Sequence, residues 1–379
     1  MNKLSCYAVV VPGLESIAAE ELTELSAHEV KADAGGVHFT SSMDGLFRIS
    51  LRSRCCTRIL LRLAEFKALS FPELYNKAGR VPWARYIGAH VETEVRAACH
   101  GSKLLHSGRV EQAVLDAIQD QSRQSGVVEA QSKSASADGK AALVQILVRL
   151  DKDICTLSLD CSGERLDRRG YRLHSGKAPL RETIAAAILR WMDWQSDQPL
   201  LSPMCGSGTF AIEAAWMARQ RAPGLAHAFP FLSWPSFKEK RWQRAVDKTV
   251  AMACNPDTSI IASELDAGII RQARENAERA GVGDEICLEQ LDVRKLHVPE
   301  HITGPGLIVC NPPYGDRIKG DAAALYKDIG HVFRTSFPDW RMAVIVPDQE
   351  SEKALALPVK RRLKIKHGGK WVYILHIGS

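Results

Sequence analysis

The chain has 379 residues, a formal net charge of +6, and 45% hydrophobic residues. This length allows two or three domains with buried cores, and no apolar run approaches membrane-spanning length. The N-terminus lacks the pattern of a signal peptide, so export is not expected. The ten cysteines are scattered without C-x-x-C pairs or zinc spacing, which predicts reduced thiols in a cytoplasmic protein and no metal site.

Residues 1–65 are predicted to form a small α+β unit that resembles a ferredoxin-like fold. Apolar alternation indicates strands, helical spacing indicates helices, and Gly35-Gly36 indicates a hairpin turn. The predicted elements are a strand over Ser5–Val11, a helix over Glu15–Leu25, an extended segment over Val30–Phe39, a helix over Asp44–Arg54 and a strand over Arg58–Phe66.

Residues 66–163 are predicted to form a second α+β unit, interrupted by a mobile loop over Gln121–Lys140 that is rich in Ser, Gln, Ala and Gly. Four polar or basic residues precede or open a predicted helix, where phosphate groups bind readily: Lys103, His106, Ser107 and Arg109. Taken singly, such residues are more often caps or surface groups. The predicted elements are a helix-turn unit over Phe71–Tyr86, strands over Val91–Ala98, Ala142–Leu150 and Ile154–Asp160, and a helix over Val110–Gln119.

Two short arginine-rich segments are candidate contacts for nucleic acid. The positive net charge has the right sign for such a partner, but it is mild. An arginine run is more often a solvated face, so this alternative stays open. The candidate residues are Arg52, Arg54, Arg169 and Arg172.

Residues 164–379 alternate between strands and helices, which predicts a mostly parallel sheet. The last two strands are joined by a His-Gly-Gly turn that is too short for a crossover, so they form an antiparallel hairpin. The predicted strands are Gln198–Pro203, Ile260–Glu264, Ile286–Leu291, Leu307–Cys310, Met342–Pro347, Leu363–Lys366 and Trp371–Ile377, and the predicted helices are Leu180–Asp193, Ala211–Arg219, Gly268–Ala280 and Ala322–Phe333.

Successive strand ends of this half carry residues suited to a nucleoside ligand. Glu264, with Leu265 beside it, can accept hydrogen bonds from ribose hydroxyls, and Asp266 either adds to this or caps the next helix. Asp292, followed by Val293, is placed to bind an adenine amine. A glycine-rich turn that lets the backbone approach a ligand closely follows the first strand: Ser202, Pro203, Met204, Cys205, Gly206, Ser207, Gly208 and Thr209.

The strand Leu307–Cys310 runs into Asn311-Pro312-Pro313-Tyr314, a loop suited to activating a flat amine. The amide oxygen of Asn311 and the carbonyl of Pro312 can accept both N–H bonds of an exocyclic amine and steer its lone pair. Consecutive prolines hold the loop extended, and Tyr314 offers a ring on which a base can stack. Taken alone, the same loop is also compatible with a simple turn.

Together these motifs resemble those of the THUMP-domain class I RNA methyltransferases, and within them the bacterial RlmL-like group that methylates the exocyclic amine of a guanine in large-subunit ribosomal RNA. The resemblance runs over nearly the whole chain. It implies a ferredoxin-like unit over residues 1–65, a THUMP-like RNA-binding domain over 66–163 and a Rossmann-like class I methyltransferase domain over 164–379. An insertion between the first two strands of the second half is the more specific signal, because generic methyltransferases lack it. The motifs that carry the resemblance are Pro12–Glu15, Ala19–Leu22, Gly35–Val37, Arg52–Arg54, Ser102–Ser107, Leu150–Asp153, Gly163-Glu164, Arg168–Arg172, Ala222–Gly224 and Trp234-Pro235.

The resemblance implies S-adenosylmethionine as cofactor, with the Gly206 turn around its methionyl part, Glu264 at its ribose, Asp292 at its adenine, and the loop from Asn311 at the target base. Many relatives have Asp where this chain has Ser202, whose hydroxyl lacks a charge for the methionyl ammonium, so an effect on cofactor affinity is expected. The implied partner is RNA, large-subunit ribosomal RNA or its precursor. One methyltransferase domain, no membrane partner, and a monomer or weak dimer are expected.

Three other functions stay open. A transfer-RNA guanine methyltransferase differs from the function implied above only in its RNA substrate. An adenine-N6 DNA methyltransferase uses a loop of the same kind as Asn311-Pro312-Pro313-Tyr314. The sequence shows no target-recognition domain, which a DNA enzyme would need. A non-catalytic RNA-binding assembly factor is the third alternative; Ser202 points towards it and the intact Asn311 loop against it.

Overall fold

The described residues form two seven-stranded sheets, one in each half of the chain, which organise the fold. Among the residues described, no helix is both long and apolar enough to cross a membrane. The computed structural model describes residues 3–88, 91–124, 143–172, 179–255, 257–313 and 322–378.

The N-terminal sheet is continuous across the two predicted α+β units. Its strands are β1 (Leu4–Val9), β2 (His28–Asp33), β3 (Gly36–Ser41), β4 (Arg58–Lys67), β5 (Glu92–His100), β6 (Leu143–Asp151) and β7 (Ile154–Asp160). They lie in the order β2-β3-β1-β4-β7-β6-β5. Strand β4 pairs antiparallel with β1 on one side and with β7 on the other, so it joins both units into one sheet. The helices are α1 (Glu15–Glu24), α2 (Met43–Arg52), α3 (Phe71–Ala78) and α4 (Ser107–Gln124).

Local sequence accounts for several of these elements. Every second residue of β6 from Val144 to Leu150 is buried, as expected for a strand with one face on a core. Helix α2 begins after Ser42, whose hydroxyl accepts a hydrogen bond from the backbone N–H of Gly45 at 3.1 Å. The hairpin predicted at Gly35-Gly36 is confirmed by the pairing of β2 with β3.

The C-terminal sheet is the predicted mostly parallel sheet with an antiparallel hairpin at one end. Its strands are β8 (Leu200–Pro203), β9 (Ile260–Glu264), β10 (Ile286–Gln290), β11 (Leu307–Cys310), β12 (Arg341–Val346), β13 (Val359–His367) and β14 (Lys370–Ile377). Their order is β10-β9-β8-β11-β12-β14-β13, with β14 antiparallel to both neighbours. The strand order reverses direction between β8 and β11, which is where open α/β sheets bind ligands. The helices are α5 (Glu182–Trp191), α6 (Thr209–Ala218), α7 (Glu239–Val250), α8 (Ala267–Arg279), α9 (Ala322–Ser336) and α10 (Gln349–Leu355).

The two halves pack directly against each other. The Arg54 guanidinium of the N-terminal half donates to the carbonyls of Trp216 at 3.0 Å and Arg221 at 2.7 Å. Gly224 lies so close to the end of α2 that an added Cβ would be 2.6 Å from the carbonyl oxygen of Ser50. The backbone approach at Gly224 therefore requires a glycine.

Three helical stretches differ from the prediction. Helices α7 and α10 were not predicted. Helix α4 runs to Gln124, so the predicted loop over Gln121–Lys140 is wrong for its first residues. The reason is that the Gln121 side chain accepts a hydrogen bond from the backbone N–H of Trp83 at 2.9 Å and donates to the carbonyls of Gly79 and Val81. These bonds hold the end of the helix against the segment after α3. The rest of that loop lies outside the described residues.

Candidate functional site

The glycine-rich turn connects the buried end of β8 to the first turn of α6. Gly206 (φ +54°) and Gly208 (φ +81°) both lie in the left-handed region that favours glycine, and Met204 shares it at φ +50°. A Cβ added at Gly206 would meet no heavy atom within 4 Å, so the backbone there borders open space. The backbone N–H of Cys205 donates to the carbonyl of Ser263 at 2.9 Å, which fixes the turn against β9.

Glu264 lies at the end of β9 and faces this turn. One carboxylate oxygen accepts from the backbone N–H of Gly206 at 3.1 Å, and the other accepts from its neighbour Leu265 at 2.8 Å. Each oxygen keeps a further lone pair for a ligand hydroxyl. The carboxylate is therefore held in place before any ligand arrives.

The two aspartates at strand ends have different roles. Asp266 is exposed and caps α8, because its carboxylate accepts from the N–H groups of Gly268 at 2.7 Å and Ile269 at 3.0 Å. It does not line the cavity described below, so the structure favours the helix-cap alternative for this residue. Asp292 accepts from the backbone N–H of Arg294 at 3.0 Å and also faces the cavity.

Asn311 follows the four buried residues of β11. Its side-chain oxygen Oδ1 is buried and has no hydrogen-bond partner within the part of the chain that the structure describes. A buried acceptor without a partner costs about 1–3 kcal/mol, so such an atom indicates a ligand donor. Pro312 is buried behind it and Pro313 borders the cavity, whereas the predicted stacking residue Tyr314 lies outside the described residues.

A cavity of about 550 Å³ brings most of these groups together. Its volume falls within the ~300–1,000 Å³ typical of small-ligand sites. Leu265 lines the cavity and is 61% exposed, so its apolar side chain is accessible for contact with a ligand. The predicted residues that line it are Met204, Cys205, Gly206, Thr209, Glu264, Leu265, Asp292, Val293, Asn311 and Pro313.

Five predicted residues do not line the cavity: Ser202, Pro203, Gly208, Asp266 and Pro312. Ser202 and Pro203 are buried in β8 and shape the turn from behind. Gly208 packs against α8, where an added Cβ would be 3.4 Å from the Cβ of Ala273. For these residues the structure supports a shaping role rather than ligand contact.

Sequence reasoning missed several cavity residues on helices. Ile269 and Gln272 line the cavity from α8, together with Leu265 just before it. These positions recur at helical spacing on one face, a signal that could have identified them. Ser207 of the predicted turn also lines the cavity, and the other lining residues not predicted are Pro179, Leu180, Phe210, Leu291, Arg294 and Leu325.

The predicted nucleic-acid contacts fall into an exposed and a buried group. Lys103, His106, Ser107 and Arg109 are exposed around the start of α4. The Arg109 guanidinium carbon lies 4.3 Å from the centre of the Phe71 ring. Arg52 is partly exposed near the end of α2.

Arg169 is instead buried, and Arg54 and Arg172 are largely buried, in intramolecular contacts. This arrangement argues against direct contact with a phosphate. Arg169 donates to the carbonyls of Leu166 at 2.6 Å and Arg54 at 2.7 Å. Arg172 donates to the hydroxyl of Thr209 at 2.6 Å, at the edge of the ligand cavity. These arginines attach the N-terminal half and the segment after β7 to α6.

Glu213 on α6 is the acidic centre of this attachment. Its carboxylate is fully buried and lies 3.6 Å from Nε of Arg169 and 4.0 Å from Nη1 of Arg54. The hydroxyl of Tyr171 donates to it at 3.3 Å. Sequence reasoning missed Glu213, although its neighbours in α6 are apolar on every face, a signal of a buried helix that could have identified it.

Comparison with known proteins identifies the family. The family model for the RMKL-like methyltransferase domain matches residues 169–371, which is more than half of the chain. The chain belongs to the RMKL-like methyltransferase family. The models for the RlmL ferredoxin-like domain and the THUMP domain match residues 5–60 and 68–160. The predicted order of ferredoxin-like, THUMP and methyltransferase folds is thus confirmed.

Relatives of this methyltransferase cover nearly its whole length. A Synechocystis protein, slr0064, provisionally named as an RNA methyltransferase, is 34% identical over 369 residues, covering 96% of this chain and 94% of that protein. Ribosomal RNA large subunit methyltransferase K/L of Syntrophotalea carbinolica is 34% identical over 373 residues. These cover 96% of this chain but 52% of that protein, so the chain spans about half the length of this relative.

A solved structure supports the cofactor. SMU.472, provisionally described as a methyltransferase and solved in complex with S-adenosylhomocysteine (SAH), aligns with a TM-score of 0.90 and 26% identity over 100% of this chain and 99% of that chain. The predicted cofactor, S-adenosylmethionine, is confirmed for this methyltransferase fold. The residues present fit it, because open space borders Gly206 and the Glu264 carboxylate is preset beside it.

Proposed function

We propose that this methyltransferase acts on the exocyclic N2 amine of a guanine in structured RNA, with large-subunit ribosomal RNA as its substrate. The observation that carries the proposal is the buried Oδ1 of Asn311 at the edge of the cofactor cavity, which has no hydrogen-bond partner among the described residues. An amine conjugated to a nucleobase is a weak nucleophile, because its lone pair is delocalised into the ring. A fixed acceptor that binds its N–H bond makes that lone pair available.

When bound, the cofactor supplies an electrophilic methyl group on a sulfonium. Oδ1 of Asn311 accepts one N–H of the target amine and the carbonyl of Pro312 accepts the other, so that the lone pair points towards the methyl group. The nitrogen would bond to the methyl carbon as the bond from that carbon to sulfur breaks, which would leave S-adenosylhomocysteine. The nitrogen then loses a proton to solvent, because methylation makes it acidic. Glu264 holds the ribose and Asp292 the adenine in this arrangement, and Tyr314 is proposed to stack on the target base.

The substrate class rests on the N-terminal half. We assign residues 1–65 and 66–163 to RNA binding and 164–379 to methyl transfer. The exposed basic residues around the start of α4 are available to phosphates, which position a nucleic acid without reading its sequence. The names of both relatives, an RNA and a ribosomal RNA methyltransferase, support this assignment. The target base would leave its stack to reach Asn311.

The test is methyl transfer from labelled S-adenosylmethionine to separated ribosomal RNA, transfer RNA and duplex DNA, followed by nucleoside analysis. N2-methylguanosine in large-subunit ribosomal RNA is the expected product. The same product in transfer RNA alone would correct the substrate, and N6-methyladenine in DNA would overturn the proposal. No transfer to any RNA, including ribosomal precursors, despite cofactor binding would favour a non-catalytic assembly factor.

Asn311→Ala tests the role of the orienting oxygen. Loss of an acceptor used in the transition state should lower kcat by about 10²–10³. Cofactor affinity should change little. Asn255→Ala is the matched control, because Asn255 is exposed and bonds the surface residue Arg219. An undiminished rate in folded, cofactor-binding Asn311→Ala would remove Asn311 from the mechanism.

A further inference from the structure

A second cavity of about 630 Å³ lies where three parts of the chain meet. Lys3 borders it just before β1 and Phe47 from α2. Arg85 and Tyr86 border it at the end of the short helical turn after α3, and Trp234 borders it from the insertion between β8 and β9. It shares no lining residue with the cofactor cavity. It is also large enough for a ligand of its own.

The floor of this second cavity is aromatic. Phe47, Phe231 and Trp234 are buried there, and the rings of Phe47 and Phe231 lie 5.1 Å apart. Tyr86 meets the Trp234 ring edge-on at 5.1 Å between centroids. Flat, partly apolar ligands such as nucleobases bind surfaces of this kind.

Trp234 adds an unused hydrogen-bond donor. Its side chain is 3% exposed, and its indole N–H has no hydrogen-bond partner within the described residues. A buried indole N–H normally finds an acceptor. This donor therefore indicates a ligand that carries a hydrogen-bond acceptor.

The rim of the second cavity is cationic. Among the described residues that line it, four are basic and none is acidic. Lys3 is paired with Glu29, and Arg241 with Asp44 at 2.7 Å. The exposed side chains of Arg85 and Lys238 have no ion pair with the described residues. Two cations are thus available for a phosphate.

We propose that the second cavity binds one unpaired nucleotide of the RNA substrate. Its base lies against the partly exposed rings of Tyr86 and Phe237, which cover the buried aromatic floor. An acceptor of the base points towards the Trp234 N–H, and the phosphate contacts Arg85 and Lys238. This inference rests on the proposed function, since it needs an RNA substrate. A nucleotide held where three parts of the chain meet would orient the RNA relative to the distinct methyl-transfer site.

The test measures binding of a short fluorescein-labelled single-stranded RNA to the full chain by anisotropy, between about 50 and 200 mM salt. Arg85→Ala with Lys238→Ala should flatten the slope of log affinity against log salt by about 0.7, because the two side chains contact one phosphate and each neutralised phosphate of single-stranded RNA adds about 0.7 to that slope. Lys240→Ala is the matched control, an exposed lysine on α7 that does not line the cavity. It should keep the wild-type slope.

Trp234→Phe removes the donor while keeping an aromatic ring. It should weaken RNA binding about three- to tenfold, because the donor for the base is lost. The smaller ring also leaves part of a buried site empty, so the melting temperature should fall and RNA binding is compared below the unfolding transition. If this variant fails to fold, the double variant decides. Guanosine monophosphate should compete only weakly; if it binds as tightly as the RNA, the site is one for a free mononucleotide and the proposal is overturned.

Methyl transfer by the same wild-type preparation reports separately on the proposed function. If the wild type methylates RNA and the double variant keeps the wild-type salt slope and RNA affinity, only the nucleotide site is overturned. RNA binding that depends on Arg85 and Lys238 without any transfer to RNA supports the site and counts against the proposed function. If the wild type neither binds nor methylates RNA, both proposals fail.

Discussion

Glu213→Gln should destabilise the protein strongly, because it removes a buried negative charge that lies between two buried arginines. The carboxylate lies 3.6 Å from Arg169 and 4.0 Å from Arg54. Each pair is worth about 4 kcal/mol at an effective dielectric constant of about 20. Burial lowers the pKa of Arg54 to about 10, so this guanidinium is still a cation at neutral pH and would lose its counter-charge.

The variant also avoids the free-energy cost of burying a charged carboxylate, which offsets part of the lost attraction to the two arginines. The net expectation is about 3–5 kcal/mol, as for other buried ion pairs that lose one partner. Against a total stability of about 5–15 kcal/mol, this is a large fraction. Because Glu213 lies one turn after the start of α6, cofactor affinity should fall as well.

Urea unfolding followed by tryptophan fluorescence and circular dichroism measures the change, and agreement of the two probes checks that unfolding is cooperative. Glu24→Gln is the control, because it removes an exposed partner of Arg190 and should cost less than about 1 kcal/mol. A Glu213→Gln variant within about 1 kcal/mol of wild type would refute the reasoning. It would mean that water or rearranged groups balance the two arginines.

Two further predictions concern carboxylates of the methyltransferase half. Glu264→Ala should weaken binding of S-adenosylhomocysteine about 10- to 100-fold in calorimetry, since a charged acceptor is lost. Glu289→Ala is the control, because it changes an exposed acid on β10 and should leave the affinity unchanged. Equal affinities of Glu264→Ala and the wild type would remove Glu264 from the cofactor site. Burial raises the pKa of the Glu182 carboxyl to about 7, although the nearby Arg172 acts to lower it. The neutral carboxyl therefore stabilises the folded state at low pH, and this contribution is lost as the pH rises through about 7. Between about pH 5 and 8 the wild type should therefore lose about 2–3 kcal/mol more stability than Glu182→Gln in urea unfolding, and an identical pH dependence would contradict the raised pKa.

Much of the cofactor site followed from local sequence. Gly206 has the left-handed conformation expected of a glycine-rich turn, and Glu264 and Asn311 lie at the carboxyl ends of their strands. Parallel strands bring these ends to one edge of the sheet, so strand identity alone predicts that the residues meet. Asp266 shows the limit, because the same acidic residue serves equally well as a helix cap.

Local sequence was enough to predict most of the strand and helix series, the strand-end motifs and hence the family and cofactor, since these depend on short-range periodicity and turn chemistry. Three features depend on long-range packing. Strand β4 joins two units in one sheet, and Arg54 and Arg169 surround the buried Glu213. Trp234 lies beside a second cavity, and its indole N–H has no partner among the described residues. The physical reason is that an arginine run or a lone tryptophan has the same local pattern whether exposed or buried. Its role depends on which distant segment packs against it.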